Sequence, residues 1–133
     1  MLDKILCIDD DPITLMLCKK VISKTGFSKE TDTAHNGEEA LNYFKNLKEN
    51  KSEDLILPKL IFLDLNMPIM GGWEFLDYFS TKEYQDFNQT KIIVLSSTID
   101  PEDLEKTKKY PMVIDFLPKP ISISMLEYLT AKL

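Results

Sequence analysis

Short apolar runs alternate with amphipathic stretches along the whole chain. "KILCI" (4–8) is continuous and short, the pattern of a buried strand. Pro12 suits a first helical position behind Asp11 as N-cap, and Ile13, Met16, Leu17 and Val21 recur at helical spacing until Gly26. "SKETDTA" (28–34) is a more polar second strand. "NGEEALNYFKNL" (36–47) opens on Asn36 with Glu39 three positions on, as in a capping box, and Ala40, Leu41, Phe44 and Leu47 make its inner face. "KENKSED" (48–54) is a charged loop, and "PKLIFLDL" (58–65) is a third strand. "GWEFLDYFS" (72–80) is helical with Phe75, Leu76 and Phe79 on one side, and "EYQDFNQTK" (83–91) links it to a fourth strand, "IIVLSS" (92–97). Asp100, Pro101 and Asp103 open a polar helix that runs to about residue 109. "MVIDFL" (112–117) is a fifth strand, and "SISMLEYLTAKL" (122–133) a last helix with Met125, Leu126, Leu129 and Leu133 in register.

Strand followed by helix, five times, with continuous apolar runs in every strand but the second, predicts an α/β fold: a parallel sheet covered on both faces. Right-handed crossovers cover both faces only if the winding reverses once. A doubly wound, five-stranded, flavodoxin-like order 2-1-3-4-5 does this and opens a crevice beyond the carboxyl ends of strands 1 and 3.

Composition narrows the function. The 133 residues suit one domain, with no linker or repeat. A net charge of −6 excludes the basic footprint of a nucleic-acid binder. No apolar run is long enough to cross a membrane, and "MLDKILCIDDD" lacks the layout of a signal peptide, so the cytoplasm is expected. Cys7 and Cys18, with His35 the single histidine, do not make a zinc site and are expected to be buried, reduced packing residues.

The polar residues at the strand ends carry the chemistry. Strand 1 runs into Asp9, Asp10 and Asp11, strand 3 into Asp64 and Asn66, strand 4 into Ser96 and Ser97, and strand 5 into Lys119 within "LPKP". Strands 1, 3, 4 and 5 are neighbours in the predicted order, about 4.8 Å apart. Carboxylates gathered so closely repel one another, and a hard divalent cation such as Mg²⁺ removes the conflict. A cation, a lysine and a hydroxyl around a central Asp form a site for a phosphoryl group, with the Asp as nucleophile.

"ILCIDDDP", "LIFLDLNMPIMGGWEFL", "IIVLSS" and "FLPKP", in this order and at these separations, resemble the receiver domain of bacterial two-component response regulators over essentially the whole chain. The resemblance implies a single receiver domain over 1–133 without an output domain, acting by binding a protein partner or by relaying phosphate. It implies Asp64 as phosphoacceptor, Asp10 as a direct Mg²⁺ ligand and Asp9 as one acting mostly through water. Asn66 would offer its backbone carbonyl to the metal, and Asp64 would join these ligands. Ser96 would bond a phosphoryl oxygen, and Lys119 another, pairing with Asp64 when no phosphate is present. The Lys119–Pro120 bond is often cis in this family. Phe116 would be the aromatic that turns inward as Ser96 is drawn to the phosphate, changing the helix 4–strand 5–helix 5 surface. A sensor histidine kinase or phosphotransfer protein would be the donor. The downstream target is not identifiable, and the oligomeric state is open, with a dimer through helices 4 and 5 one arrangement. Such a protein is not an enzyme beyond catalysing its own phosphorylation and dephosphorylation.

Departures from the family pattern are Gly71-Gly72 for the frequent Asp-Gly, Ser96 for Thr, Ser97 for a smaller residue, and Phe116 for Tyr. Two other functions remain at this point. A phosphatase of the haloacid-dehalogenase type also uses a strand-end Asp, Mg²⁺ and lysine, but needs a second acid where this chain has Asn66. A phosphate-independent pseudo-receiver has usually lost an acid that this chain keeps. Taken singly, each residue also has an ordinary explanation: helix-start acids, a turn Asp, a solvated lysine, a serine bonded to nearby backbone, a core phenylalanine.

Overall fold

The computed structural model describes residues 2–50 and 55–133. Among them, five strands form one parallel sheet in the order β2-β1-β3-β4-β5. The strands are β1 (Leu2–Ile8), β2 (Ser28–Ala34), β3 (Leu60–Asp64), β4 (Lys91–Ser96) and β5 (Val113–Pro118). Helices α1 (Pro12–Thr25), α2 (Gly37–Glu49), α3 (Gly72–Phe79), α4 (Pro101–Thr107) and α5 (Ile123–Lys132) connect or follow them.

The period-2 alternation of the strands divides the core in two. Ile5, Cys7, Leu60, Phe62, Ile93 and Leu95 point to the face covered by α1 and α5. Leu6, Ile8, Ile61, Leu63 and Ile92 point to the face covered by α2 and α3. A central strand buried on both faces has no solvent-facing position, which is why β3 reads as an apolar run until its last residue, Asp64.

The helix starts follow the predicted caps. Asp11 accepts a hydrogen bond from the Ile13 N–H at 2.9 Å, Asn36 from the Glu39 N–H at 2.8 Å, and Asp100 from the Glu102 N–H at 2.9 Å. The return arm of the capping box lands one residue earlier than usual: Glu39 Oε1 accepts from the His35 N–H, and also pairs with the His35 ring. Gly26 ends α1 at φ 69°, a left-handed position that a side chain resists.

Four expectations need correction. The α1 face turned to the sheet is Leu15, Cys18 and Ile22, while Ile13, Met16 and Leu17 are exposed. The helix is apolar around much of its girth, and the two stripes differ by about 100° of rotation, so periodicity alone could not choose between them. The link at 83–91 contains a 3-10 helix, Lys82–Phe87, whose Tyr84 and Phe87 are buried against Phe44 and Phe79. The charged loop expected at 48–54 begins as helix: α2 continues to Glu49, and Lys48 Nζ donates to the Glu83 carbonyl. Residues 51–54 of that loop lie outside the described residues. Leu133, expected in the α5 core stripe, is exposed at the chain end, whereas Leu126 and Leu129 are buried.

Candidate functional site: an acidic crevice bridged by a lysine

Parallel pairing puts the carboxyl ends of β1, β3, β4 and β5 along one edge. Ile8 pairs with Leu63, Asp64 with Leu95, and Ser96 with Pro118. The residues that follow or end these strands are therefore brought together by register alone. Carboxylate oxygens of Asp9, Asp10 and Asp64 all lie within 4.8 Å of one another. Asp9 and Asp64 are buried, and Asp10 opens to solvent.

Lys119 reaches into this cluster from beyond β5. Its Nζ lies 2.5 Å from Asp9 Oδ2 and 3.4 Å from Asp64 Oδ1. Asp64 thus has the expected lysine partner, but Asp9 holds it more closely. The Lys119–Pro120 bond is cis, and the Lys119 N–H donates to the Ser96 carbonyl at 2.8 Å, tying the β5–α5 connection to the end of β4. Burial pulls the Lys119 amine down, but its hydrogen bond to Asp9 and the charges of Asp64 and Asp9 outweigh this, so it sits above its ordinary value and stays charged. Burial, then the Asp9 charge, lift the Asp64 carboxyl above its ordinary value, and Lys119 only partly offsets them.

Backbone donors fix the acids. Asp9 Oδ1 accepts from the Asp11 N–H at 3.0 Å, and Asp64 Oδ1 from the Asn66 N–H at 3.4 Å. Asn66 itself is exposed beside Asp64. Gly72 lets α3 start against the end of β3: an added Cβ there would lie 2.7 Å from the Asp64 carbonyl oxygen and 2.8 Å from Leu65 Cα.

Ser96 is buried at the end of β4, but its hydroxyl donates to the Thr98 carbonyl at 2.6 Å and so turns toward its own loop. Phe116 is already inside, 8% exposed and packed with Leu65, Val94 and Trp73. The expected pairing of an inward serine with an inward ring is not what this state has. Phe116 carries no hydroxyl to hydrogen-bond water, so burial wins, by about 1.5–3 kcal/mol for a ring of this size.

Two side-chain arrangements were not anticipated. Trp73 sits between the Phe116 cluster and α4, with Lys106 Nζ 4.3 Å from its ring centroid and Tyr110 6.0 Å away. Tyr110 OH in turn donates to Asp77 at 2.6 Å. On β5, Asp115 accepts from Lys132 Nζ and Tyr128 OH of α5, both at 2.9 Å. Both link residues far apart in sequence, so no local spacing signals them.

A doubly wound sheet with a cation-attracting acidic pocket at its topological switch point defines the class. The family model for the response regulator receiver domain matches residues 5–130, and the chain belongs to that family. A two-component response regulator from Cytophaga hutchinsonii is 30% identical, with a TM-score of 0.86 over 98% of this chain and 96% of that one. The chemotaxis protein CheY4 of Vibrio cholerae is 25% identical, with a TM-score of 0.75 over the full length of both. Among curated proteins, the nitrate/nitrite response regulator protein NarL of Escherichia coli K12 is 34% identical over 100 residues, 75% of this chain and 40% of that protein. The hybrid signal transduction histidine kinase C of Dictyostelium discoideum is 29% identical over 133 residues, 97% of this chain and 10% of that protein. The chain thus spans less than half of each of these two curated relatives.

The chain is a receiver domain of phosphorylation-switched signalling. Receiver domains bind Mg²⁺ at an acidic pocket and interact with histidine kinases or phosphotransfer proteins. The Asp9, Asp10 and Asp64 oxygens fit such an ion chemically: they are hard anionic donors, and the exposed side of Asp10 leaves room for retained water. Among the described residues, no helix is long and apolar enough to cross a membrane.

Proposed function

We propose that Asp64 is the phosphoacceptor and that the chain takes its phosphoryl group from a phosphohistidine of a sensor kinase or phosphotransfer protein. The observation that carries this is Lys119, which reaches two buried carboxylates on separate strands at once. A phosphoryl group on Asp64 offers the lysine a doubly charged partner at the same place.

An Asp64 carboxylate oxygen attacks phosphorus, the P–N bond of the phosphohistidine breaks, and the imidazole leaves with the electron pair and takes up a proton. Mg²⁺, held by Asp9, Asp10, Asp64 and the backbone carbonyl of Asn66, would neutralise charge on the transferring oxygens. Lys119 shifts from Asp9 toward the phosphoryl oxygens. Ser96 gives up its bond to the Thr98 carbonyl and donates to the phosphoryl group instead. Water later cleaves the acyl phosphate and restores the Asp64 carboxylate. These are the only reactions the chain catalyses on this reading. Asn66 in place of an acid removes the proton donor a phosphatase needs, so multiple turnover of phosphomonoesters is not expected.

The output is a population shift between two arrangements of the loops above the sheet. With Phe116 already buried, the movable parts are the Ser96–Thr98 loop and α4, which Trp73, Lys106 and Tyr110 connect to the Phe116 cluster. The exposed stripe Ile13, Met16 and Leu17 beside Asp10 is the face we assign to the donor. Two buried free cysteines suit the reducing cytoplasm.

The test is incubation with Mg²⁺ and acetyl phosphate, read by intact mass. The chain gains one phosphoryl group, Asp64→Asn gains none, and chelation of the metal abolishes the gain. A wild-type chain that stays unlabelled under donor excess overturns the proposal.

A further inference from the structure

Asp64 is 7% exposed, at the floor of the crevice, so a protein-borne phosphohistidine reaches it only by bringing its own surface down onto the surrounding rim. Four exposed isoleucines of the described residues stand in the connections at this edge: Ile13 opening α1, Ile69 between β3 and α3, Ile99 before α4, and Ile123 opening α5. Ile69 is the most exposed of them, at 78%.

Ile69 is also, among the described residues, the one non-glycine residue with positive φ, at 72°. A β-branched side chain resists this conformation, whereas Asn or Gly adopts it readily. The loop leaves no choice. The Gly72 N–H donates to the Leu65 carbonyl at 3.0 Å, and the Gly37 N–H donates to the Met70 carbonyl at 2.8 Å. Met70 packs against Gly37 so closely that an added Cβ on Gly37 would lie 2.8 Å from Met70 Cγ. Both flanks are pinned, the backbone at 69 is forced left-handed, and the side chain stands in solvent. Neither the turn nor the core gains from isoleucine here, and strain of this kind gathers where a residue meets a partner.

We propose that Ile69 is a specificity-determining residue for phosphotransfer: an apolar knob on the β3–α3 connection that seats in an apolar recess next to the donor's phosphohistidine. It rests on the reading of Asp64 as acceptor and adds the chemistry of the donor surface. Ile69 takes no part in bond making, so a small donor with no protein surface does not read it.

The experiment compares wild type, Ile69→Asn, Ile69→Gly and Ile69→Leu with two kinds of donor in Mg²⁺. One is acetyl phosphate. The other is the purified phosphohistidine protein, from a set of kinase cores and phosphotransfer proteins, that labels the wild type fastest. Ile69→Asn, relieved of strain, melts no lower than wild type and labels from acetyl phosphate within about twofold of it, while kcat/KM with the protein donor falls about tenfold, or about 1.4 kcal/mol, chiefly through faster donor dissociation. Ile69→Gly behaves like Asn, and Ile69→Leu, which keeps an apolar knob, restores the protein-donor rate. An Asn variant as fast as wild type with the protein donor overturns the proposal. So does an equal loss with both donors, which would make Ile69 a positioner of the loop, a lower melting temperature, or a set in which no protein donor outpaces acetyl phosphate. A wild-type chain that acetyl phosphate does not label at Asp64 fails the acceptor reading itself, a separate result.

Discussion

Lys119→Met removes the ammonium and keeps the stem. The lysine contacts Asp9 and Asp64, whose side chains are 7% and 9% exposed, while its own is 19% exposed. Taking one partner from a buried ion pair costs about 3–5 kcal/mol, because the remaining charge stays desolvated. Two features reduce this. The crevice opens to water along Asp10, and the Asp64 carboxyl, already raised by burial and by Asp9, takes up a proton more readily once the amine is gone. The expected loss in metal-free buffer is therefore about 2–3 kcal/mol, a shift of about 1–2 M in a urea midpoint. A divalent cation must compete with the ammonium for Asp9 in the wild type and meets no such competitor in the variant. Millimolar Mg²⁺ should thus stabilise Lys119→Met more than wild type, by up to about 2.7 kcal/mol at a hundredfold excess over Kd. Urea titrations of both proteins, in chelator and in Mg²⁺, measure these quantities. A variant as stable as wild type in chelator would refute the lysine as the counter-charge of the acids. Equal Mg²⁺ stabilisation of both would refute competition between amine and metal.

Gly72→Ala puts a methyl against the Asp64 carbonyl and Leu65 Cα, and should cost about 1–3 kcal/mol by chemical denaturation while slowing labelling from acetyl phosphate. At Asp115, partial burial raises the carboxyl, but hydrogen bonds from Lys132, the Phe116 N–H and Tyr128 together leave it below its ordinary value. Its contribution to stability is therefore full above the unfolded-state pKa, about 3.9, and is lost as pH falls through the lower folded value. Asp115→Asn should accordingly be less stable than wild type near neutrality, and the gap should close in acid melts. Lys106→Met should shift the emission of Trp73, the single tryptophan of the chain, and cost under about 1 kcal/mol, since the cation–π contact is exposed.

Where a residue's fate depended on its neighbours in sequence, the chain was readable. β3 announces itself by apolar residues on both faces, and the caps at Asp11, Asn36 and Asp100 mark three helix starts. The crevice was readable for a related reason: strand order and parallel pairing put Asp9, Asp64, Ser96 and Lys119 on one edge before any side chain is considered. What escaped depends on choices made in three dimensions. In α1, Leu15 and Met16 are equally good core residues until the sheet selects one stripe. Tyr84 and Phe87 look like a polar link because only Phe44 and Phe79, on other elements, make their burial favourable. The preference of Lys119 for Asp9 over Asp64, and the inward Phe116, depend on rotamers that spacing does not encode.

The central claim is that Asp64 is where phosphate lands, and the most direct measurement locates it chemically. After reaction with acetyl phosphate and Mg²⁺, borohydride reduces an aspartyl phosphate to homoserine, and peptide mass spectrometry reads its position. Homoserine at position 64, absent when donor or metal is omitted, is the predicted result. Homoserine at Asp9 or Asp10 with position 64 unchanged, or label retained on a residue other than an aspartate, would contradict it.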